Sequence, residues 1–454
     1  MAFDPTPRRG LAAWIMSYVY ACIAAEISEL TRYCGKLVQW CPRIQDPGLV
    51  LAKSDAPSRG QAETSAQLQE QVEAVELPLA VLLNGNTNHD LDIQSSLRDI
   101  QKVLARNSRV VLVTYNSYLG WLHQIAKWIR LRRDEVPTTF ITRVDLGSLC
   151  RLAGLEVVRS RPVCYCPFPL GRWSEAINRV MALVPLIRNL SLAEITILRK
   201  ATAVSEVKPS LTIVVPARNE KGNMQPLFDR LPAIAGCTME LIFVEGHSTD
   251  GTWEEILRLI PLYQERYSIK AFQQTGKGKA DAVRVGFGQA SGDLVTILDA
   301  DLTMPPELLH RFYDAYCDGL GDFINGNRLT YPMEGKAMRF LNRLGNIFFA
   351  KAVSSVLEVD LGDTLCGTKL LSRQDYQRMC AWRGDFGDFD PFGDFELLFP
   401  AATLGLGIVN LPIRYRDRTY GETNISRFAH GWLLLRMTCI GLLRIRLAAG
   451  GKKA

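Results

Sequence analysis

Residues 294–306 read LVTILDADLTMPP. Leu294 to Leu298 make a buried-strand run, which delivers Asp299 and Asp301, separated by Ala300, to its carboxyl end. In an extended segment positions i and i+2 face the same side, so the two carboxylates point one way. Such a pair can hold a hard divalent cation, which keeps waters and takes phosphate oxygens as further ligands. A lone D-x-D is usually a turn, and here three upstream runs give it meaning. Residues 211–220 (LTIVVPARNE) are a buried strand opening into Pro216, Arg218, Asn219 and Glu220. Residues 241–252 (LIFVEGHSTDGT) are another, ending in Glu245 before a turn and a helix start capped by Thr249 or Asp250. Residues 275–293 (TGKGKADAVRVGFGQASGD) offer flexible backbone and positive charge at Gly276, Lys277 and Gly278, although Ala280 after Lys279 excludes a P-loop. Carboxyl ends of strands in open α/β sheets are where nucleotides bind.

In this order and spacing the four runs resemble a family 2 glycosyltransferase of the GT-A fold, from about Leu211 to Arg427, and more closely the dolichyl- or polyprenyl-phosphate hexosyltransferases. The resemblance implies that Pro216, Arg218, Glu220, Glu245, Asp299, Ala300 and Thr303 hold a nucleotide sugar, and that Asp299 and Asp301 hold Mn²⁺ or Mg²⁺. NGNRLTYP (325–332) places Arg328 at the family's phosphate-contacting arginine, and FLNRLGN (340–346) makes Arg343 a second for that duty. DTLCGTKLLSR (363–373) parallels the acceptor-side segment and gives Lys369. DRTYGETNISR (417–427) parallels a lid and gives Arg418, with Asn424 where the family has lysine. The implied reaction displaces a diphosphate from an anomeric carbon with inversion, the leaving charge being met by the metal, Arg328 and Arg418. The implied acceptor is a polyprenyl phosphate, which is already ionised. A hydroxyl acceptor would need a general base, for which Asp394 in DPFGDFELLF (390–399) is expected first and Glu396 second. The alternatives are transfer to a saccharide hydroxyl in cell-surface glycan assembly, a bifunctional methyltransferase–glycosyltransferase, and a scaffold without catalysis. The intact aspartates and cationic residues oppose the last.

Upstream, LPLAVLLN, IQSSLRDIQKVLAR, RVVLVTYN and LGWLHQIAKWIRLRR alternate strand and helix patterns from Leu77 onward, an α/β arrangement. Residues 77–200 resemble the C-terminal half of class I S-adenosylmethionine-dependent methyltransferases. That family seats its cofactor on a Gly-rich turn after the first strand. Gly10, Gly35, Gly48 and Gly60 are isolated, so no S-adenosylmethionine is expected, and the block reads as a half-sheet with an open edge needing cover. Residues 53–74 (KSDAPSRGQAETSAQLQEQVEA) lack aromatics and read as linker or disorder. The expected division is an apolar helix and linker over 1–76, a partial methyltransferase-like domain over 77–207, a GT-A domain over 210–427, and a basic membrane-surface segment over 428–454.

The chain's 454 residues hold about three domains' worth of sequence. Hydrophobic residues at 47 % and charged residues at 22 % exclude wholesale disorder. A net charge of +6 is too mild to point to nucleic acid. The excess is uneven: Leu411 to Ala454 holds nine basic and two acidic residues. Gly10 to Ala25, 16 uncharged residues, is shorter than the roughly 18 to 20 needed to cross a bilayer. It reads as a buried or membrane-surface helix, with a secretory signal or short anchor as the alternative. Phe428 to Leu447 is apolar but interrupted by Arg436, Arg444 and Arg446, which suits a headgroup layer with snorkelling arginines. Together these predict peripheral attachment to the cytosolic face of a membrane. Eleven scattered cysteines read as reduced thiols, and the lone Cys164-x-Cys166 pair as no metal site.

Overall fold

The computed structural model describes residues 7–43, 48–75, 78–128, 137–203, 207–332, 340–388, 390, 393–418, 420 and 427–447. It divides into two compact units, one of residues 1–201 with 403–405 and 442–454, the other of residues 202–402 with 406–441.

Six strands build the first unit: β1 (Lys36–Trp40), β2 (Arg59–Ala62), β3 (Leu79–Asn84), β4 (Arg109–Tyr115), β5 (Leu155–Val163) and β6 (Ala193–Lys200). Their order is β2-β1-β3-β4-β6-β5. The first four run parallel, and β6 lies antiparallel to both β4 and β5. Strict alternation splits the core over two faces. Ala80, Leu82, Val111 and Val113 pack on one side, Leu79, Val81, Leu83, Val110 and Leu112 on the other.

The sheet does not begin at Leu77. β1 and β2 precede Leu77 in the same sheet, and β1 covers the expected open edge of β3. Nor are residues 53–74 a linker throughout. They contain β2 and a helix, Ser65–Glu73, whose N-cap Thr64 accepts from the Gln67 amide. The apolar N-terminal run forms a helix, Pro7–Thr31, whose Tyr20, Ile23, Ala24, Ile27 and Leu30 pack on the sheet at helical spacing. It is thus a core helix. Among the described residues no helix is long and apolar enough to cross a membrane. Arg446, expected to snorkel, is buried and donates to the Ala182 carbonyl. All eleven cysteines are free thiols.

The second unit is a mixed α/β fold of seven strands: β7 (Leu211–Ala217), β8 (Met239–Glu245), β9 (Ser268–Gln273), β10 (Leu294–Ile297), β11 (Phe323–Asn327), β12 (Lys369–Ser372) and β13 (Ile408–Pro412). The order is β13-β11-β12-β10-β7-β8-β9, with β12 antiparallel to both its neighbours. β10, β7, β8 and β9 are parallel, so their carboxyl ends share one edge. A Cβ on Gly286 would lie 2.3 Å from a Val214 methyl carbon, so this glycine lets the helix Lys279–Gly288 press onto β7.

Ile27→Ala should destabilise the first unit by about 2–5 kcal/mol through the cavity it leaves. Trp14→Ala, at a side chain 51 % exposed on the same helix, should change stability by no more than about 0.5 kcal/mol. Chemical denaturation of the two variants checks this, and equal effects would contradict a core role for the helix.

Candidate active site

The edge shared by β7, β8 and β10 carries strained backbone. Asn219, His247 and Leu302 hold positive φ (55°, 58° and 58°), each in the loop that follows one of these strands. Residues other than glycine pay for this conformation with roughly 1–3 kcal/mol, and it clusters where a site needs it. Leu302 points inward and is buried, while the flanking Asp301 accepts from the Thr303 amide at 3.1 Å and hydroxyl at 2.7 Å. Asn219 accepts from the Thr249 amide, and its own amide donates to Ser248, stitching the β7 and β8 loops together.

The two aspartates of the D-A-D are both partly exposed, and each meets a cation. Asp299 pairs with Lys279, at the first position of its helix. Asp301 accepts from Arg418 Nη2 at 2.6 Å. Burial alone would raise the Asp299 carboxyl, but Lys279, with Lys369 and Arg328 further off, outweighs it and holds the pKa below the ordinary value. Arg418 also reaches Glu220 at 3.5 Å. Glu220 is buried, accepts from Asn223 Nδ2 at 2.6 Å, and burial pushes its pKa up to about 7. Ala300 is buried beneath the aspartates.

Arg328 sits at the end of β11 and forms a bidentate pair with Asp363, at 2.6 and 2.9 Å. Its guanidinium lies over the Tyr415 ring, 5.2 Å from the centroid. Arg328 thus serves first to meet a buried carboxylate. Burial opposes the ionised form of Asp363, and the Arg328 charge outweighs it, lowering the pKa. Lys369, expected at the acceptor side, is fully buried instead. Its ammonium bonds the Cys366 carbonyl and Asp394, so it does not reach the pocket surface. Asp394, the expected base, is spoken for by that lysine, and Glu396 is held by Arg284 at 2.5 Å.

Other expected residues are more peripheral. Glu245 is buried at the end of β8 and accepts from the Ser248 amide at 2.5 Å and from Gln273 at 3.3 Å. Pro216 is half-buried in β7, and Arg218 is exposed beyond it. Arg343 is exposed on the helix Phe340–Leu357 and donates to the Leu329 carbonyl at 3.5 Å, close in sequence to Arg328. Asn424 lies outside the described residues. Lys279, Asp363, Asn223 and Tyr415 were not picked out as site residues. The first two sit inside quoted motifs, but nothing in the sequence announces their partners.

Chemically the arrangement offers two hard oxygen donors at a strand end, each paired with a cation. Among the described residues no cluster of three or more His, Cys, Asp or Glu forms a self-sufficient metal cage. Two carboxylates suit a divalent ion that completes its shell with water and phosphate.

Residues 212–379 match the family model described as glycosyl transferase family 2. The chain is 27 % identical over 223 residues to the dolichol-phosphate mannosyltransferase of Pyrococcus furiosus, covering 48 % of this chain and 59 % of that protein. It is 29 % identical over 221 residues to the dolichyl-phosphate hexose transferase of Haloferax volcanii, covering 49 % of this chain and 89 % of that protein. Among solved structures it is similar to glucosyl-3-phosphoglycerate synthase of Mycobacterium tuberculosis in complex with Mn²⁺, UDP and glucosyl-3-phosphoglycerate. That likeness is 18 % identity, a TM-score of 0.37, and coverage of 52 % of this chain and 80 % of that one.

Asp363→Asn should cost about 3–5 kcal/mol, because it leaves the Arg328 charge, in a side chain 11 % exposed, without its counter-ion. The sign with pH follows from the depressed carboxyl. The pair contributes fully above about pH 4, where an unfolded aspartate is ionised, and is lost as pH falls through the lower folded pKa. Denaturation across pH 2–7 should therefore show a steep acid limb in the wild type and a shallower one in the variant. Parallel curves would contradict the pairing.

Proposed function

For a chain that carries a glycosyl transferase family 2 domain, we propose a metal-dependent, inverting GT-A enzyme that moves a hexose from a nucleotide sugar to a polyprenyl phosphate. The observation that carries this reading is the pair Asp299 and Asp301 at the carboxyl edge of β10, flanked by Lys279, Arg328 and Arg418. The strand order, with a single antiparallel strand between β10 and β11, supports the GT-A assignment. Both relatives are named for dolichol phosphate, which supports a polyprenyl phosphate as acceptor.

Asp299 and Asp301 would hold Mn²⁺ or Mg²⁺, which when bound supplies Lewis-acid charge to the leaving diphosphate. The protein's own part is positional. Glu220, Glu245, Thr303 and the loops after β7 and β8 shape the donor side. Arg418 meets negative charge where the diphosphate develops it. Arg328, fixed by Asp363 and Tyr415, presents an oriented cation that needs no reorganisation. Displacement from the far face of the sugar inverts the anomeric carbon. Because Lys369 and Arg284 occupy Asp394 and Glu396, a general base is poorly supplied. An acceptor that is already ionised needs none, which favours phosphate over a saccharide hydroxyl.

A membrane-surface location is part of the proposal. Leu344 and Phe348, four residues apart on the helix Phe340–Leu357, are exposed. So are Trp432 and Leu435 on the helix Arg427–Gly441, which packs against it. Arg311, Arg414 and Arg416 line a groove of about 710 Å³ beside the loop after Thr303. Apolar side chains together with basic ones suit peripheral attachment to an anionic cytosolic leaflet.

For the first unit, β1 to β4 in parallel with a closing antiparallel pair supports a methyltransferase-like fold. β1 leads into Cys41, Pro42 and Arg43 with no Gly-rich turn, so we assign it no S-adenosylmethionine chemistry. Binding of S-adenosylmethionine in calorimetry would revive the bifunctional reading.

Purified protein with Mn²⁺ or Mg²⁺, a panel of nucleotide sugars, and polyprenyl phosphate against soluble acceptors tests the activity. Asp301→Ala should abolish transfer while leaving the melting temperature close to wild type, since this carboxylate stands at the sheet edge outside the core. Turnover near wild type would remove the metal role. Liposome flotation should require anionic lipid and weaken with salt as screening shortens to about 8 Å at physiological ionic strength. Trp432→Ser with Phe348→Ser should lower it further. Flotation indifferent to salt and to both substitutions would contradict peripheral attachment.

A further inference from the structure

Both aspartates of the D-A-D are already charge-compensated by the protein, and the two cations differ in origin. Arg418 belongs to the lid segment that the sequence flags. Lys279 does not. It stands at the first position of the helix Lys279–Gly288, where the helix dipole disfavours a cation. Its ammonium offsets that cost by pairing with Asp299. Backbone is shaped around the contact. A Cβ on Gly367 would lie 2.2 Å from both Asp299 Oδ2 and Lys279 Nζ, so glycine is what lets the β12 loop close over the pair. Gly393, at φ +84°, approaches Ala280 next to Lys279. The pair nonetheless opens to solvent, with Lys279 32 % and Asp299 26 % exposed. That contrasts with Lys369–Asp394 and Arg328–Asp363, where one partner of each pair is fully buried. A partly exposed ion pair costs less to break than one with a partner fully buried.

We infer that Lys279 is a tethered counter-cation at Asp299 that a divalent ion must displace, so that metal uptake depends on the arriving diphosphate. The inference rests on the metal reading proposed above. Free metal gains Asp299 only by stranding the Lys279 ammonium. A metal that arrives with a nucleoside diphosphate brings negative oxygens to which the released ammonium can turn. Such coupling is reciprocal: the diphosphate tightens metal binding by the factor by which metal tightens the diphosphate.

Mn²⁺ binding, followed by loss of the free-ion electron paramagnetic resonance signal, tests this without any turnover. Wild type, Lys279→Met, Lys279→Ala and Lys279→Arg are titrated with Mn²⁺ alone and again with saturating GDP or UDP. Removing the cation should tighten binding of Mn²⁺ alone by about tenfold or more, by analogy with the roughly 1–3 decades by which a neighbouring unit charge shifts a carboxylate's proton equilibrium. Nucleotide should then add less in Met and Ala than in wild type, while Arg behaves as wild type. Two neutral variants guard against one failing to fold, and thermal melts confirm those used. If the neutral variants bind Mn²⁺ alone no more tightly than wild type while nucleotide still enhances binding in all, the role of Lys279 is wrong and the metal reading stands. If wild type binds no Mn²⁺ even with either nucleotide, the metal reading falls and this inference with it.

Discussion

The second unit depends on charge compensation at the carboxyl edge of its sheet. Among the described residues, four aspartates there are each paired with a cation: Asp299 with Lys279, Asp301 with Arg418, Asp363 with Arg328, Asp394 with Lys369. Glu220, which shares Arg418 with Asp301, is the carboxyl whose pKa rises to about 7. An uncompensated carboxylate in this setting would cost several kcal/mol or take up a proton. Meeting that demand ties distant parts of the chain together. Arg418 and Asp301 are 117 positions apart, Arg328 and Asp363 35. The site therefore exists only when β10, β11, the β12 loop and the segment after β13 are all in register.

This dependence explains what the sequence could and could not disclose. The four strand-and-loop runs were legible because their signal is local: an apolar run, then polar residues at its carboxyl end. An α/β sheet domain, and the position of Asp299, Asp301 and Thr303 after one of its strands, followed from that; the antiparallel placement of β12 did not. Which cation faces which carboxylate is a tertiary fact without local signature. Lys279 looked like part of a flexible basic loop, and Lys369 like an acceptor contact, because a lysine's reach says nothing of its direction. Asp394 looked available as a base for the same reason, since its partner lies 25 residues away on β12.

The first unit was misread for a different cause. β2, RGQA, is an edge strand paired only with β1, and its burial is partial, so it needs no apolar alternation and shows none. The helix Ser65–Glu73 buries Leu68 alone and so resembles a solvated linker in composition. One usable signal was present. Thr64 followed by Gln67 is an N-cap pattern, and Gln67 Oε1 does accept from the Glu63 amide at 2.8 Å. The capping signal is local, whereas the pairing of β2 with β1 is not.

The four ion pairs also sort by how deeply they are held, and that sorting bears on mechanism. Arg328–Asp363 and Lys369–Asp394 each have one partner fully buried and a short contact made with good geometry, so they act as fixed parts of the frame. Lys279–Asp299 and Arg418–Asp301 are the more exposed pairs, their cations 32 % and 27 % exposed, at the two carboxylates proposed to hold a metal. In the proposed reaction a diphosphate donor and a phosphate acceptor both arrive as anions, and a site whose cations were all locked to internal carboxylates would repel neither but hold neither. On that proposal the more exposed pairs resolve this, because a ligand that engaged Asp299 and Asp301 would release two cations where negative charge enters. The frame pairs keep Arg328 aimed while that exchange occurs. Stability and reactivity are thus carried by different pairs built from the same residue types, distinguished by burial alone.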